Sequence, residues 1–192
     1  MSKIPVIALI GKAGAGKDTV MQSVLDKDPT LNEIISYTTR PPREGEVDGK
    51  DYHFVDIEKF TDMVLNDQML EACSFNNWFY GTGLKSLDPT KVNIGVFNPA
   101  GIESLQMHNN IELYVFLIEA KDKVRLIRQL QREEDPDIDE IMRRFKTDNE
   151  DFFDLQFHHN FLVNDLDTDL EYNTNVICGV ARALKDKIGQ FN

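Results

Sequence analysis

Short apolar runs alternate with amphipathic stretches along the chain, and this order predicts an α/β fold. Continuous apolar runs such as IPVIALI at 4–10 and ELYVFLI at 112–118 are typical of parallel strands that are buried on both faces. We expect core strands at 4–10, near 35, and at 92–97, 112–118 and 160–163. We expect core helices at 18–26, 100–107, 122–132, 138–154 and 168–188. The alternation predicts a mostly parallel central sheet of about five strands, covered by helices on both faces.

One long interruption follows the second core strand. Residues 36–90 contain few aliphatic side chains, with strand character at 51–55 and 69–75, a helix at 57–66 and an aromatic stretch at 78–81. This pattern predicts a small mixed α/β insertion rather than a free-standing domain.

A second interruption, REEDPD at 132–137, separates two amphipathic helices. We expect a mobile helical lid at about 128–146. The remaining stretches, 1–35 and 91–192, form the core of a single domain that spans residues 1–192.

The composition fits one compact α/β unit. The chain has 192 residues, of which 41% are hydrophobic, and this is enough to bury a full core. A net charge of −12 argues against nucleic acid or an anionic membrane as a partner. The start of the sequence lacks a signal-peptide pattern, and no apolar run reaches membrane-spanning length, so we expect a soluble, cytoplasmic protein. Cys73 and Cys178 have no ligand spacing, and we expect free thiols.

A phosphate-binding loop follows the first predicted strand directly. In GKAGAGKDT at 11–19, Gly11, Gly14 and Gly16 allow a tight turn whose backbone N–H groups point inward. Lys17 is then placed to reach the β and γ phosphates of a nucleotide at the positive end of the following helix. A strand before the loop and a helix after it are the context that this motif requires.

The polar segment SYTTRPPREGEVDGKDYHF at 36–54 is suited to a doubly charged anion. Two prolines fix the backbone between Arg40 and Arg43, which holds the two guanidinium groups apart on a short arch. Guanidinium groups bind phosphate oxygens with charge-assisted hydrogen bonds, and Tyr52 adds a neutral donor. The alternative is a solvated loop whose arginines pair with its own acids, which are Glu44, Glu46, Asp48 and Asp51.

The arginines are unevenly distributed for an acidic protein. Seven of the eight fall in two segments, at 40–43 and 125–144. This clustering indicates a concentrated anion, although helical ion pairs explain part of the second group. The alternative for the second group is a solvated face paired with Glu133, Glu134, Asp135 and Asp139.

The sequence as a whole resembles the guanylate kinase family. The resemblance is carried by the phosphate loop, the polar segment and three shorter elements: GKAGAGKDT at 11–19, SYTTRPPREGEVDGKDYHF at 36–54, Glu71, Tyr-Gly-Thr at 80–82 and VNDL at 163–166. It implies a three-layer P-loop NTPase fold. It also implies an enzyme that transfers the γ-phosphoryl group of ATP to GMP, giving ADP and GDP, with Mg²⁺ as cofactor.

The resemblance also implies site residues. The ATP-binding residues would be Gly11, Lys12, Ala13, Gly14, Ala15, Gly16, Lys17, Asp18, Thr19 and Asn164. The GMP-binding residues would be Ser36, Arg40, Arg43, Tyr52, Glu71, Tyr80, Thr82 and Asn98. The catalytic residues would be Lys17, Arg40, Arg128, Arg132 and Arg144. Lids of this family carry two arginines four apart and a third beyond the loop, which fits this chain if its lid holds one extra residue. Without that extra residue, Gln129 and Glu133 would take the positions of the first two lid arginines. Arg143 is the alternative to Arg144 for the third lid arginine.

Base selection follows from the hydrogen-bonding groups of guanine. Its adjacent N1–H and N2–H₂ donors suit one carboxylate, whereas adenine presents an acceptor at N1. Glu71, in an apolar strand-like run, is the expected reader. Ser36 and Thr82 resemble hydroxyls that reach the guanine edge, and Tyr80 resembles a residue that supports phosphate binding. The alternatives are a surface position for Glu71 and a core position for Tyr80.

Two departures from the family pattern concern the metal. Asp18 follows the loop lysine, where the family has Ser or Thr, and the third core strand ends in Val96 and Asn98 rather than in acids. We hypothesise that the Asp18 carboxylate replaces the lost one as a ligand of Mg²⁺, since this cation prefers oxygen.

Three other functions stay open for this sequence. The same departures occur in ribose 1,5-bisphosphate phosphokinases, although the run at 43–52 argues against that branch. A viral-type deoxynucleoside monophosphate kinase would have broader specificity. The guanylate-kinase-like domains of scaffold proteins bind partners without catalysis, but those domains typically lack a working phosphate loop. The sequence also leaves open the choice between GMP and dGMP, and between a monomer and a homodimer.

Overall fold

The computed structural model describes residues 3–42, 45–75, 78–132 and 135–190. The strands are β1 (Ile4–Ile10), β2 (Asn32–Glu33), β3 (Tyr37–Thr38), β4 (His53–Phe54), β5 (Met69–Phe75), β6 (Trp78–Gly83), β7 (Asn93–Val96), β8 (Ile111–Glu119) and β9 (Asn160–Val163). The helices are α1 (Lys17–Lys27), α2 (Ile57–Leu65), α3 (Pro99–Gln106), α4 (Asp122–Leu130), α5 (Ile138–Asp151) and α6 (Asp167–Gln190). Within these ranges no helix has both the length and the apolar character that a bilayer span requires.

The central sheet has five strands in the order β2-β7-β1-β8-β9, and every pairing in it is parallel. The predicted parallel sheet of about five strands is therefore confirmed. β1 lies in the middle, between β7 and β8, so the loops after these strands meet at one edge of the sheet. Ligands of open α/β sheets bind at this edge, where successive connections leave in opposite directions.

The core consists of two apolar clusters, one on each face of β1. Ile7 and Leu9 pack with α1 and α6, whereas Val6, Ala8 and Ile10 pack with α3 and the opposite layer. All five side chains are fully buried. Burial on both faces explains why β1 is continuously apolar, as predicted for a central parallel strand. It also gives the phosphate loop a rigid support.

The second sheet has four strands in the order β4-β3-β6-β5. β3 pairs with β4 in parallel and with β6 antiparallel, and β5 pairs with β6 antiparallel. The predicted mixed sheet is confirmed, although the strand expected at 51–55 is reduced to His53–Phe54. Strand β3 was not predicted, because its Thr38 is a buried polar residue that the apolar pattern does not mark. The Thr38 hydroxyl is satisfied by donating to the Phe79 carbonyl at 3.1 Å.

Helices α4 and α5 flank the interruption at 132–137. α4 ends at Leu130, two residues earlier than predicted, and α5 ends at Asp151, three residues earlier than predicted. Asp137 starts α5, since its carboxylate accepts a hydrogen bond from the Glu140 N–H at 3.0 Å. Glu133 and Glu134 lie outside the described residues. The extent of the lid and the division of the chain into core and insertion stay predictions.

Candidate active site

A cleft of about 360 Å³ lies between the two sheets, at the edge where β1 and β7 end. One end of the cleft is formed by the phosphate loop and the start of α1. The other end is formed by residues of the mixed sheet and by the turn that leads into α3. Helix α5 contributes residues to one side. A single cleft therefore joins the two regions that the sequence analysis singled out.

The phosphate loop has the backbone geometry that its glycines predict. Gly14 has φ of 79° and Gly16 has φ of 92°, both in the left-handed region. A Cβ at Gly14 would lie 2.6 Å from the Arg125 carbonyl oxygen, and a Cβ at Gly16 would lie 2.5 Å from Nδ2 of Asn164. Larger residues at these positions would push the loop away from its supports. The loop is thus fixed before any ligand arrives.

Lys17 closes the loop from within the cleft. Its ammonium group donates to the Gly11 carbonyl at 2.7 Å and, more weakly, to the Lys12 carbonyl at 3.4 Å. Burial lowers the pKa of Lys17 below its ordinary value, and the carboxylates of Asp18 and Asp148 oppose this shift. Phosphate oxygens would replace the carbonyl contacts of this cation with stronger, charge-assisted ones.

The other predicted ATP-binding residues differ in their positions. Asp18 and Thr19 are exposed on the first turn of α1, and Asp18 lines the cleft, whereas Thr19 is not among the described residues that line it. Asn164 is 3% exposed and lies beneath the loop, where its Nδ2 donates to the Ala15 carbonyl at 2.8 Å. The structure therefore places Asn164 as a support of the loop.

At the end of the cleft formed by the mixed sheet, Arg40 is held by several groups. It makes a bidentate ion pair with Glu46 at 2.8 and 2.9 Å, and its guanidinium lies 5.5 Å from the ring centre of Tyr52. Tyr80 lies against Tyr52, with ring centres 6.1 Å apart, and, with Glu46, its hydroxyl helps to raise the pKa of Arg40. Burial raises the pKa of the Tyr52 hydroxyl, so this group stays a protonated donor. The structure thus brings Arg40, Tyr52 and Tyr80 together.

The acids of the polar segment only partly follow the solvated-loop alternative. Glu46 does pair with Arg40, but both side chains line the cleft. Asp48 and Asp51 accept hydrogen bonds from the backbone N–H groups of Phe54 and Val47, each at 2.8 Å. These contacts shape the loop. Arg43 and Glu44 lie outside the described residues.

Glu71 lies deeper in the cleft. Its carboxylate accepts a hydrogen bond from the Thr82 hydroxyl at 2.8 Å, and Thr82 is fully buried. The Ser36 hydroxyl lies 3.5 Å from that of Thr82. Burial raises the pKa of the Glu71 carboxyl, and the hydrogen bonds from Thr82 oppose the shift. Glu71 is therefore positioned, with acceptor capacity left for a ligand.

Asn98 is both a helix cap and part of the cleft wall. Its Oδ1 accepts from the Gly101 N–H at 2.7 Å, which starts α3, and its Nδ2 donates to the sulfur of Cys73 at 3.3 Å. The carboxylate of Glu71 lies close by, because a Cβ at Gly101 would be 3.5 Å from it. The start of α3 thus lies beside Glu71.

The arginines near the lid occupy distinct positions. Arg132 and Arg144 line the cleft, whereas Arg128 lies against the loop, with Nη1 3.3 Å from the Ala15 carbonyl. Arg143 and Arg144 both pair with Glu140, at 2.7 and 2.8 Å, but Arg143 is not among the described residues that line the cleft. The two arginines thus differ in position, and Arg144 is the one that lines the cleft. The alternative pairing of these arginines with Asp135 and Asp139 is not among the ion pairs of the described residues.

Two residues beside the phosphate loop were missed as site residues. Arg125 and Asp148 bond to each other and to Ala13, although Arg125 was counted only as one of the clustered arginines. They stand 23 positions apart, and no local pattern in the sequence connects them. Glu46 was considered only as a loop acid.

Comparisons with known proteins assign the chain to a family. A family model described as guanylate kinase matches residues 3–177. The curated guanylate kinase of Helicobacter hepaticus is 32% identical over 190 residues, which cover 96% of this chain and 93% of that protein. The guanylate kinase of Helicobacter pylori is 31% identical over 191 residues, covering 97% and 91%.

The solved structures add a likeness in fold. A guanylate kinase from Anaplasma phagocytophilum has a TM-score of 0.68 at 21% identity, over 96% of this chain and 88% of that chain. A sugar kinase from Janibacter has a TM-score of 0.52 at 11% identity, over 96% and 98%. Since the family model spans most of the sequence and the Helicobacter relatives match almost end to end, the chain belongs to the guanylate kinase family.

Proposed function

We propose that this chain transfers the γ-phosphoryl group of ATP to GMP or dGMP, giving ADP and the guanosine diphosphate. The observation that carries the proposal is one cleft with two different ends. A phosphate loop with Lys17 forms one end, and a positioned carboxylate, Glu71, lies toward the other with Arg40 between the mixed-sheet aromatics. Membership of the guanylate kinase family supports the same assignment.

The donor phosphates would bind at the start of α1. Loop N–H groups and the helix N-terminus favour negative charge there, and Lys17 adds a full positive charge. Asn164 keeps the loop in shape from below. The whole arrangement is rigid, so little reorganisation accompanies phosphate binding.

The acceptor would bind with its phosphate at Arg40 and its base at Glu71. The phosphate replaces Glu46 on the Arg40 guanidinium, and Tyr52 and Tyr80 donate their hydroxyls to it. The carboxylate of Glu71 accepts the N1–H and N2–H₂ groups of guanine, while Thr82 keeps it in place. Adenine would leave this carboxylate poorly paired.

The chemistry then requires alignment rather than a general base. An oxygen of the acceptor phosphate forms a bond to the γ-phosphorus of ATP, and the bond from that phosphorus to the bridging oxygen of ADP breaks. Lys17, Arg132 and Arg144 neutralise charge on the transferring group from the cleft wall.

The described residues fit Mg²⁺ of the kind that accompanies a nucleotide. This cation is usually bound by one or two carboxylates together with substrate phosphates, and not by a cage of protein ligands. No cluster of three or more metal-ligating side chains occurs in the described part of the chain, but Asp18 is exposed in the cleft beside Lys17. Asp18 would hold the ion, whose charge offsets that of the phosphates.

A change at Asp18 tests the role of this carboxylate. We expect Asp18→Ser to raise the Mg²⁺ concentration that gives half-maximal turnover by about tenfold, because a charged oxygen ligand is lost. Asp26→Ser, on an exposed part of the same helix, is the matched control and should leave the Mg²⁺ titration unchanged. Full activity of Asp18→Ser at low Mg²⁺ would refute this role. Adding Asn98→Asp, which keeps the cap of α3, should then restore part of the loss.

Two adjacent arginines offer a matched pair for the lid. Arg143 and Arg144 both pair with Glu140, but Arg144 lines the cleft. We expect Arg144→Lys to lower kcat by about 10- to 100-fold, since lysine lacks the planar fork that binds phosphate oxygens. Arg143→Lys should stay within about twofold. Both are measured at saturating ATP and GMP, and equal losses would show that the assignment is wrong.

The proposed function itself is tested by offering acceptors separately. ADP release from ATP and Mg²⁺ is measured with GMP, dGMP, AMP, dTMP and ribose 1,5-bisphosphate. We expect turnover with GMP and dGMP at least about 100-fold faster than with the others. Turnover with ribose 1,5-bisphosphate alone would show that the chain is a ribose 1,5-bisphosphate phosphokinase instead. Turnover with dTMP as well would favour a broader kinase, and none at all would favour a binding module.

A further inference from the structure

Arg125, Asp148 and the backbone of Ala13 form a closed ring of hydrogen bonds beside the phosphate loop. The Ala13 N–H donates to Oδ2 of Asp148 at 2.8 Å, and the Ala13 carbonyl accepts from Nε of Arg125 at 2.9 Å. Arg125 completes the ring by donating Nη2 to the same Asp148 oxygen at 2.6 Å. Both polar groups of one loop peptide are thereby used by one ion pair.

The ring connects three parts of the site. Ala13 belongs to the phosphate loop, Arg125 to α4 and Asp148 to α5. Arg144 precedes Asp148 by four residues on α5 and so lies on the same face of that helix. The bond from Asp148 to Ala13 therefore fixes the face of α5 from which Arg144 reaches the cleft wall.

Burial makes the ion pair hard to separate. Arg125 is 1% exposed, and its guanidinium lies 4.3 Å from the ring centre of Phe145. A buried arginine needs a carboxylate partner, since an isolated buried charge is strongly unfavourable. Asp122 also bonds Arg125 at 2.7 Å, but its side chain is 70% exposed and therefore screened by solvent. Asp148, with a side chain 17% exposed, is the more enclosed partner.

The position of Asp148 would be unfavourable for a triphosphate if its charge stood alone. Asp148 lines the cleft and bonds a peptide of the loop that faces phosphates. Its negative charge raises the pKa of Lys17, while the positive charge of Arg125 lowers it, so both charges reach the centre of the donor site. Arg125 thus opposes the field of Asp148 where the triphosphate would lie.

We propose that Arg125 and Asp148 are positioning residues of the donor site, which hold the Ala13 peptide and helix α5 in place as a charge-balanced pair. Asp148 attaches α5 to the loop through the Ala13 N–H, beside the exposed contact between Lys12 and Asn149. Arg125 cancels the negative charge that this attachment brings close to ATP. The inference rests on the proposed function, because it assumes that a nucleoside triphosphate binds at the loop.

Binding of a non-hydrolysable ATP analogue with Mg²⁺, measured by calorimetry without any acceptor, tests the pair. Arg125→Met leaves the Asp148 charge uncompensated and should weaken analogue binding by about tenfold or more. Adding Asp148→Asn to Arg125→Met should recover most of that loss. Arg125→Lys keeps the charge and should bind the analogue within about threefold of the original chain. Asp122→Asn, the matched control, should stay within about twofold.

Binding of GMP to the same variants separates a local effect from damage to the fold. GMP affinity should stay within about twofold for Arg125→Met, since Glu71 and Arg40 lie at the other end of the cleft. An equal loss of GMP and analogue affinity, or no recovery in the double variant, would overturn the inference. The inference would also be overturned if the affinity of Arg125→Met for the analogue equalled that of the original chain. If the original chain itself fails to bind the analogue, the proposed function fails instead.

Discussion

Lys17→Met should lower kcat/KM for ATP by about 10³-fold or more, which corresponds to about 4 kcal/mol of transition-state stabilisation. Lys17 is the cation at the centre of the phosphate loop, and its ammonium group is held there by the Gly11 carbonyl at 2.7 Å. Methionine keeps most of the length and apolar volume but removes the charge. The loss should therefore appear mainly in kcat, because charge on the γ-phosphoryl group is redistributed during transfer.

A second lysine of the same loop provides the control. Lys12 is directed away from the loop centre, and its ammonium group donates to the Asn149 side chain at 2.8 Å on the exposed side. Lys12→Met should change kcat/KM by less than about threefold. Steady-state kinetics with varied ATP at saturating GMP measure both variants. Comparable losses in the two variants would mean that Lys17 acts only through the general charge of the loop.

Glu71→Gln should lower kcat/KM for GMP by about 100-fold or more and remove most of the discrimination between GMP and inosine monophosphate. The carboxylate of Glu71 accepts the Thr82 hydroxyl at 2.8 Å and keeps acceptor capacity toward the cleft. Glutamine would direct an N–H₂ donor at the N–H donors of guanine. Inosine monophosphate lacks the 2-amino group, so it reports whether both guanine donors are read.

The measurement is the ratio of kcat/KM for the two acceptors in each variant. The original chain should prefer GMP by at least about tenfold, and the ratio should fall below about threefold in Glu71→Gln. Glu58→Gln, an exposed change on α2 in the same segment, should leave the ratio intact. A preserved ratio in Glu71→Gln would assign base recognition to other residues of the cleft.

The acidic side of the pH profile follows from the same carboxyl group. Burial raises the pKa of Glu71, and the group must be ionised to accept both guanine donors. As the pH falls through this raised pKa, kcat/KM for GMP should fall in the original chain. The Glu71→Gln variant lacks this titration. Any fall of its kcat/KM at acidic pH should therefore come from protonation of the GMP phosphate.

The bounds of several strands were predictable from the sequence. Strand β1, which is buried on both faces, begins and ends at the predicted residues, because its apolar run reports burial directly. Strands β5 and β9 also have the predicted bounds, although most of the described residues of both strands are not buried. Strand β3 was missed, since it is two residues long and is held by the side chains of Thr38 and Thr39 bonded to the Phe79 backbone. Local polar contacts of this kind leave no periodic signal.

Within the candidate site, residues that form contiguous motifs were predictable, and residues brought together only by folding were not. Lys17 and the loop glycines stand in one motif whose geometry is local. The Arg125 and Asp148 pair depends on how α4 and α5 pack, which sequence spacing does not specify. The position of Asn164 beneath the loop likewise depends on how the strand end at β9 meets the loop.

If Arg40 binds the acceptor phosphate as proposed, its ion pair with Glu46 makes the chain supply its own competitor for that phosphate. Glu46 is tethered six residues from Arg40, so it is present at a fixed, high effective concentration at that guanidinium. A tethered competitor weakens the phosphate contacts of GMP and GDP alike. It therefore lowers the affinity for substrate and product by the same factor and leaves the equilibrium between the two bound states unchanged. When GDP leaves, Glu46 can return to the Arg40 guanidinium, which restores the ion pair of the ligand-free cleft.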